Sequence, residues 1–400
     1  EVSDAAGITF EGSTLGIAVN DLNADGWPDI YVANDFISSD ILYLNNQDGT
    51  FRNVSQECLR HTSFHGMGVD VADVNGDGHQ DITVLDMLPF SNDRQKMMLT
   101  SVDYKVNKLR EEAGFLPQVV RNTLQLNGGC DAKGDLQFSE VGTLAGIYAT
   151  DWSWAPLWAD YNLSGCPDLY VTNGYQRDIT DLDLINGLDQ QTAFGTHAHY
   201  DRVRREIQQT APEIETANLF FQNEGGLNMK DRTLRNGLHH PSISHGAAFT
   251  DLDLDGDLDL VVNNVRPNAF VYRNNASRRD KGNYLKLKLL GKGLNRDGLG
   301  ATVELRYQGA KQRYFHSYVR GYMSSMSHQI HFGLGNVEVV DTLVVLWPLG
   351  ERQLFTEVAV NQLPRARRRS PGGPTSLRGT TPPLARRRSP TPSSPPRLAR

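Results

Sequence analysis

Short apolar segments separated by turns occupy the first 280 residues of the chain. Four of these segments, at 30–33, 82–85, 169–172 and 260–262, are rich in β-branched and aromatic residues and follow turns of Asp, Asn and Gly. A segment rich in small residues precedes the turn, as at 65–72 and 245–250. Apolar runs of this length bounded by turn residues are typical of β-strands. The pattern therefore predicts repeated strand–turn–strand units.

The turns themselves form a repeat. Four nine-residue segments align without gaps: loop 1 (21–29), loop 2 (73–81), loop 3 (160–168) and loop 4 (251–259), and they start 52, 87 and 91 residues apart. Two segments of helix-like composition, about 88–120 and 176–216, interrupt the spacing. Without them the unit is roughly 50 residues, the size of a four-stranded propeller blade. We expect residues 1–280 to form β-propeller blades, in a partial ring with two helical inserts.

The pattern changes near residue 281. Longer strands with period-two alternation, for example at 284–289, 301–307 and 341–347, predict a small β-sandwich over 281–364. Residues 365–400 hold ten arginines, eight prolines and no acid, so they have no apolar face to bury and are expected to be a disordered tail or the product of a shifted reading frame. The expected fold class is all-β.

The loop motif, D-x-[DN]-x-D-G-x-x-D, has the spacing of a metal-binding loop. Side-chain oxygens at positions 1, 3, 5 and 9 and the carbonyl at position 7 can converge, and the glycine at position 6 permits the sharp turn. Several hard oxygen atoms suit Ca²⁺ better than Mg²⁺. A single copy is also compatible with a plain turn. Four copies favour metal loops, because the clustered carboxylates would otherwise repel each other.

The predicted calcium ligands occupy equivalent positions in all four loops. Loop 3 is the weaker site because a serine replaces a carboxylate at position 5, and loop 4 is the most acidic. The predicted ligands are Asp21, Asn23, Asp25, Trp27 and Asp29 in loop 1; Asp73, Asn75, Asp77, His79 and Asp81 in loop 2; Asp160, Asn162, Ser164 and Asp168 in loop 3; and Asp251, Asp253, Asp255, Asp257 and Asp259 in loop 4.

Charge and composition narrow the possible partners. The formal net charge is −7, and without the arginine-rich residues 365–400 the chain has 30 basic against 47 acidic side chains, or −17. A net negative charge of this size on residues 1–364 repels nucleic acid and attracts cations, so we expect no nucleic-acid partner. The three cysteines show no paired framework. No run of about 18 apolar residues predicts a transmembrane segment.

With residues 43–51, the loops resemble the FG-GAP/VCBS repeats of integrin-α-like propellers. Residues 281 to about 360 resemble the ASPIC/UnbV domain that follows such repeats in many exported proteins, on the segments 298–303, 320–325, 331–335 and 346–350. The resemblance implies an extracellular or cell-surface protein. Because the chain opens without Met inside a repeat, we interpret it as a fragment that does not include its export signal.

Two functions remain open at this stage. The first is a non-catalytic calcium-binding scaffold that binds an extracellular protein or glycan, with its oligomeric state undetermined. The alternative is a propeller hydrolase or lyase acting on extracellular glycans, but no catalytic signature is visible beyond the loop acids. Three tryptophans, Trp152, Trp154 and Trp158, fit either a sugar-stacking platform or blade core, and we expect core.

Overall fold

Four four-stranded antiparallel sheets, which we call blades 1 to 4, follow one another along the chain. They come from a computed structural model that describes residues 1–98, 104–279, 282–348, 350–368 and 378–379. Blade 1 contains β1 (Ser13–Asn20), β2 (Asp29–Asp35), β3 (Ile41–Asn45) and β4 (Phe51–Asn53), and it is followed by α1 (Ser55–Cys58) and β5 (Thr62–Ser63).

Blade 2 is interrupted by the first insert. Its strands are β6 (Val69–Ala72), β7 (Asp81–Val84), β9 (Thr123–Cys130) and β10 (Leu136–Glu140), with α2 (Asn92–Met97), α3 (Tyr104–Glu112) and β8 (Gln118–Val119) between β7 and β9. The helix α4 (Gly142–Ala145) follows the blade. In the insert, β8 forms a parallel pair with β5, the short strand that follows blade 1, and this pairing holds the insert next to blade 1.

Blade 3 is interrupted in the same way between its second and third strands. Its strands are β11 (Ser153–Ala159), β12 (Asp168–Asn173), β14 (Leu219–Asn223) and β15 (Met229–Asp231), and the insert holds α5 (Leu182–Thr192), α6 (His197–Thr210) and β13 (Thr216–Ala217). Blade 4 combines β13 with β16 (Pro241–Thr250), β17 (Asp259–Arg266) and β18 (Phe270–Tyr272), and α7 (Ala276–Arg279) follows it.

The all-β fold class and the two helical inserts are confirmed. Side-chain caps begin three of the insert helices: Ser91 accepts from the backbone N–H of Arg94, and Asp181 and Thr196 cap α5 and α6 in the same manner. Helices are not confined to the inserts that the sequence predicted. The four-residue helices α1, α4 and α7 lie outside them, where single helical turns connect strands.

The core of the first 280 residues lies between neighbouring blades. The innermost strands are adjacent, β1 to β6, β6 to β11 and β11 to β16. Separate apolar clusters fill the three interfaces, for example Tyr31 against Ile82 and Tyr170 against Val262. Trp158 belongs to the interface of blades 2 and 3, and Trp152 and Trp154 are also buried. The prediction that these tryptophans are core residues is therefore confirmed.

The remaining strands form two packed four-stranded sheets. One sheet has the order β24-β19-β27-β28 and the other β21-β20-β25-β26. Alternating residues of each sheet, such as Leu287 and Val303, face a shared apolar core. The strands are β19 (Asn283–Leu290), β20 (Thr302–Tyr307), β21 (Ala310–Phe315), β24 (Gln329–Gly335), β25 (Val339–Leu346), β26 (Arg352–Ala359), β27 (Pro364–Arg367) and β28 (Arg378–Gly379). We call this unit the sandwich.

The predicted start of the tail, residue 365, lies too early. Residues 365–367 belong to β27, which pairs in parallel with β19, and Ala366 is fully buried in the sandwich core. The alternation of buried Pro364 and Ala366 with exposed Arg365 and Arg367 is that of a strand with one face packed on a core. Apart from residues 368 and 378–379, the rest of the predicted disordered tail lies outside the described residues.

A two-stranded hairpin links the sandwich to the blades. Its strands, β22 (Val319–Arg320) and β23 (Ser324–Ser325), contact the innermost strands β6, β11 and β16. Backbone hydrogen bonds join Gly321 to Val69 in both directions, at 3.1 and 3.2 Å. Gly321 has a φ of +70°, and a Cβ there would lie 2.9 Å from Leu157, so this approach requires glycine.

The hairpin carries a buried ion pair into this junction. The Arg320 guanidinium donates to both Asp70 carboxylate oxygens at 2.7 Å and to the Trp158 carbonyl at 2.9 Å. Asp70 also accepts from the Trp158 backbone N–H at 2.8 Å. Both charged side chains are less than 10% exposed, at 8% and 2%. The sandwich is thus fixed to blades 2 and 3 by a paired charge.

Candidate functional site

All four acidic loops occupy the same place in their blades. Each begins directly after the innermost strand and ends on the first residue of the next strand, so position 9 is both a loop residue and a strand residue. The 19 predicted ligands therefore occupy equivalent structural positions in the four loops. Loop 3 has no predicted ligand at position 7 of the motif. The glycines at position 6 have positive φ, for example +89° at Gly26.

The position-9 aspartates bind backbone groups on two sides. In three blades one carboxylate oxygen accepts from the second residue of the loop and the other from an asparagine that lies in the third strand or just after it. Asp29 accepts from Leu22 and Asn45, Asp81 from Val74 and Asn127, and Asp259 from Leu252 and Asn274, over 2.8–3.0 Å. Asp168 accepts from Asn223 at 2.9 Å. Position 9 thus holds the loop closed whether or not a metal binds.

The asparagines of blades 2, 3 and 4 also connect each of loops 1, 2 and 3 to the blade that follows it. The side-chain amide of Asn127 donates to the Leu22 carbonyl of loop 1 at 2.8 Å, Asn223 donates to Val74 of loop 2 at 2.8 Å, and Asn274 donates to Tyr161 of loop 3 at 2.6 Å. This contact was not predicted from the sequence. Its signal is the asparagine that closes each of the four third-strand segments 41–45, 123–127, 219–223 and 270–274.

The position-1 aspartates lie beneath the loops and accept from loop backbone groups. Asp73 accepts from three of them, the N–H groups of residues 76, 77 and 78, at 2.8–3.1 Å. Burial raises the pKa of Asp73 to about 6 and of Asp160 to about 7. At position 9, burial raises the pKa of Asp29 to about 7 and of Asp81 to about 8. A cation in these loops would favour the ionised carboxylates and oppose that rise.

The sandwich contacts the loops with basic and amide side chains, which the sequence did not reveal. Arg313 donates to Asp21 of loop 1 at 2.8 Å, and the Lys286 ammonium contacts Asp251 of loop 4. Gln312 donates to the Gly165 carbonyl of loop 3 at 3.2 Å. Within the described residues, no lysine or arginine forms an ion pair with Asp73 or Asp160. The four loops therefore differ in the charge they face.

Loop 4 brings its carboxylates closest together. Ligand atoms of Asp251, Asp253 and Asp259 lie within 4.8 Å of one another, the one such acidic group in the described part of the chain. Asp255 and Asp257 each keep a buried oxygen without a hydrogen-bond partner among the described residues. Arg273 and Arg278 approach the exposed rim of this loop at 3.5–3.9 Å.

Loops 1 to 3 are less convergent. In loops 1 and 2 the position-3 amide donates to the position-5 carboxylate, from Asn23 to Asp25 at 3.0 Å and from Asn75 to Asp77 at 2.8 Å. In loop 3, Ser164 Oγ accepts from the Cys166 N–H at 3.3 Å. Asp21 in loop 1 and Asp168 in loop 3 each leave one buried carboxylate oxygen without a hydrogen-bond partner in the described structure. Such unpaired oxygens, with the hard-oxygen donor set, fit Ca²⁺.

The fold and loops define an all-β, propeller-like scaffold, and comparison with known families agrees. Residues 21–84, which contain loops 1 and 2, match the family model described as FG-GAP-like repeat, and residues 291–369 match that described as ASPIC and UnbV. The chain thus contains one segment that matches an FG-GAP-like repeat and a C-terminal segment that matches an ASPIC/UnbV domain. FG-GAP repeats are typical of extracellular proteins. No helix of the described residues has the length and apolar character needed to cross a membrane.

Similarity beyond these families is low. No curated protein matches the chain. Among solved structures, one that is similar is a lectin of Agrocybe aegerita, described for specific recognition of non-reducing terminal N-acetylglucosamine. It is 12% identical, the match covers 87% of this chain and 67% of the lectin, and the TM-score is 0.30. A similarity this low supports no argument about function.

Proposed function

We propose that this protein is a non-catalytic extracellular binding scaffold whose inter-strand loops bind Ca²⁺, with loop 4 as the principal site. The observation that carries the proposal is the convergence of Asp251, Asp253 and Asp259. Beside them, a buried Asp257 oxygen has no hydrogen-bond partner among the described residues, and a buried Asp255 oxygen faces only the Arg278 guanidinium at 3.5 Å. A hard divalent cation bound by several carboxylates would neutralise the repulsion that the apo loop contains. Bound Ca²⁺ would stiffen the loops that connect neighbouring blades.

The size of the effect follows from mass action. Extracellular calcium modules have dissociation constants on the order of 10⁻⁴ to 10⁻³ M. A site at ten times its dissociation constant stabilises the folded state by about 1.4 kcal/mol. We therefore expect millimolar Ca²⁺ to raise the Tm and excess chelator to reverse the rise.

The test compares Asp253→Ala with a matched control, Asp131→Ala. Asp131 lies in the plain acidic turn 131–135 and accepts from the N–H groups of Lys133 and Asp135. Asp253→Ala should reduce the calcium-dependent rise in Tm, and the apo variant should be as stable as wild type or more so, because a neighbour of Asp255 is removed. Asp131→Ala should leave the calcium-dependent increment unchanged. Equal increments in wild type and Asp253→Ala would contradict the assignment, and turnover of extracellular glycans by the purified protein would contradict the non-catalytic role.

A further inference from the structure

A second site lies apart from the acidic side chains of the loops, in a cleft between blades 3 and 4 and the sandwich. The cleft has a volume of about 600 Å³. Its walls are residues 161–164 of loop 3, the outer part of blade 3, the turn at 232–238, the segment 272–279 after β18, and residues 335–336 of the sandwich. Ligand sites favour such positions between structural units and have volumes of roughly 300–1,000 Å³.

The charge of this cleft is opposite to that of the protein as a whole. Four arginines line it, Arg232, Arg235, Arg273 and Arg279, against one acid, Glu224. Arg232 pairs with Glu224 at 2.6 Å, and its Nε is buried without a hydrogen-bond partner among the described residues. This concentration of positive charge occurs in a chain whose net charge is −7. Several positive side chains held together in one cleft favour the binding of an anion.

Two of the arginines are available to a ligand. Within the described residues, the guanidinium groups of Arg235 and Arg279 form no ion pair or hydrogen bond, and both side chains are exposed. A guanidinium presents a planar fork of donors that matches carboxylate and sulfate oxygens in bidentate fashion. The cleft thus presents unpaired donors of the right kind for these groups.

The rest of the lining suits a sugar. The side-chain amides of Gln222, Asn236 and Asn336 have no hydrogen-bond partner in the described structure, and amides can both donate to and accept from hydroxyl groups. Tyr272, which is half-buried, adds an aromatic surface to the same wall. From the combination of arginine forks, free amides and an aromatic side chain, we propose that the cleft binds an anionic oligosaccharide carrying carboxylate or sulfate groups.

The proposal also accounts for the one departure from the loop motif. Asn162 and Ser164, at positions 3 and 5 of loop 3, line this cleft. An aspartate at position 164 would place a carboxylate beside the arginines and reduce the positive charge of the cleft. Ser164 leaves the positive charge of the cleft unchanged, but loop 3 then has no carboxylate ligand at position 5. The inference rests on the proposed scaffold function and names its ligand class.

The experiment measures binding by isothermal titration calorimetry with three oligosaccharides of equal length: one of uronic acid units, one sulfated and one neutral. The uronate and the sulfated arm distinguish the two sources of negative charge. We expect one or both charged probes to bind at least tenfold more tightly than the neutral one, with affinity falling as salt rises. The double variant Arg235→Gln/Arg279→Gln should lose at least tenfold in affinity with an unchanged Tm. Arg204→Gln, an exposed arginine on α6, is the control and should bind as wild type.

Ser164→Asp separates this inference from the proposed function. It should weaken saccharide binding severalfold and strengthen calcium binding at loop 3. Equal binding of the neutral probe, wild-type affinity in the double variant, or tighter binding of a single-stranded DNA of equal charge would overturn the cleft proposal. Absence of any saccharide binding with a normal calcium-dependent Tm shift overturns the cleft alone. Saccharide binding without a calcium shift supports the cleft and overturns the calcium assignment.

Discussion

The buried pair of Asp70 and Arg320 makes the sharpest stability prediction. The substitution Asp70→Asn keeps an acceptor for the Trp158 N–H but removes the charge that compensates Arg320. The guanidinium would then retain neutral partners: the carbonyls of Trp158 and Val71 at 2.9 and 3.5 Å, and the rings of Phe249 and Tyr314 at 5.4 and 5.9 Å. Removing one member of a buried ion pair costs about 3–5 kcal/mol, because the other charge stays buried without a counterion. We expect Asp70→Asn to lose that much free energy of unfolding.

The assay is urea denaturation followed by tryptophan fluorescence, since Trp158 lies at the junction. The double variant Asp70→Asn/Arg320→Met removes both charges and should be less destabilised than the sum of the two single variants. Glu304→Gln is the control, because its partner Arg306 is 62% exposed and such surface pairs contribute at most about 1 kcal/mol. A cost below about 1 kcal/mol for Asp70→Asn, or additive single effects, would refute the reasoning.

Three further outcomes follow from the structure. Lys286→Met should strengthen calcium binding at loop 4, on the order of tenfold or about 1.4 kcal/mol, because the ammonium that contacts Asp251 is removed; an unchanged affinity in calorimetry would contradict this. Burial raises the pKa of Asp40 to about 7, so between about pH 4 and 7 the folded state holds a proton that the unfolded state has released. Stability should therefore fall as pH rises from about 4 to 7. Asp40→Asn should show a smaller fall in Tm over that window, and a fall identical to that of wild type would contradict this role of Asp40. Truncation after residue 363 should lower the Tm because it removes the buried Ala366, whereas truncation after 379 should leave it unchanged.

The repeat and its turns were predictable because their determinants are local. A nine-residue motif specifies its own closure, since Asp29 binds the backbone of Leu22 seven residues away, and the same is true of loops 2 and 4. Strand positions followed from the apolar segments on either side for the same reason. Helix caps such as Asp181 also lie next to the elements they begin.

The contacts that join distant parts of the chain were not predictable in this way. Arg313 reaches Asp21 across 292 positions, and Arg320 reaches Asp70 across 250. Both arginines lie in strands whose sequence pattern is compatible with an exposed position. Only the packing of the sandwich on the blades buries their side chains. The aspartate inside the apolar segment 69–72 is the one local sign that β6 has a charged partner.

Loops with the same motif differ in the charged groups that surround their predicted calcium ligands. Loops 1, 2 and 4 satisfy the same spacing, yet Arg313 faces the position-1 aspartate of loop 1, Lys286 faces that of loop 4, and no ion pair forms with Asp73 of loop 2 among the described residues. A cation that enters loop 1 or loop 4 must compete with a basic side chain of the sandwich for the position-1 aspartate, whereas Asp73 of loop 2 accepts from backbone N–H groups. Loop 4 offsets that competition with the largest number of carboxylates. We therefore expect the affinity of each loop for Ca²⁺ to depend both on the motif and on the surface of the sandwich that lies over it, so that equal motifs need not give equal sites.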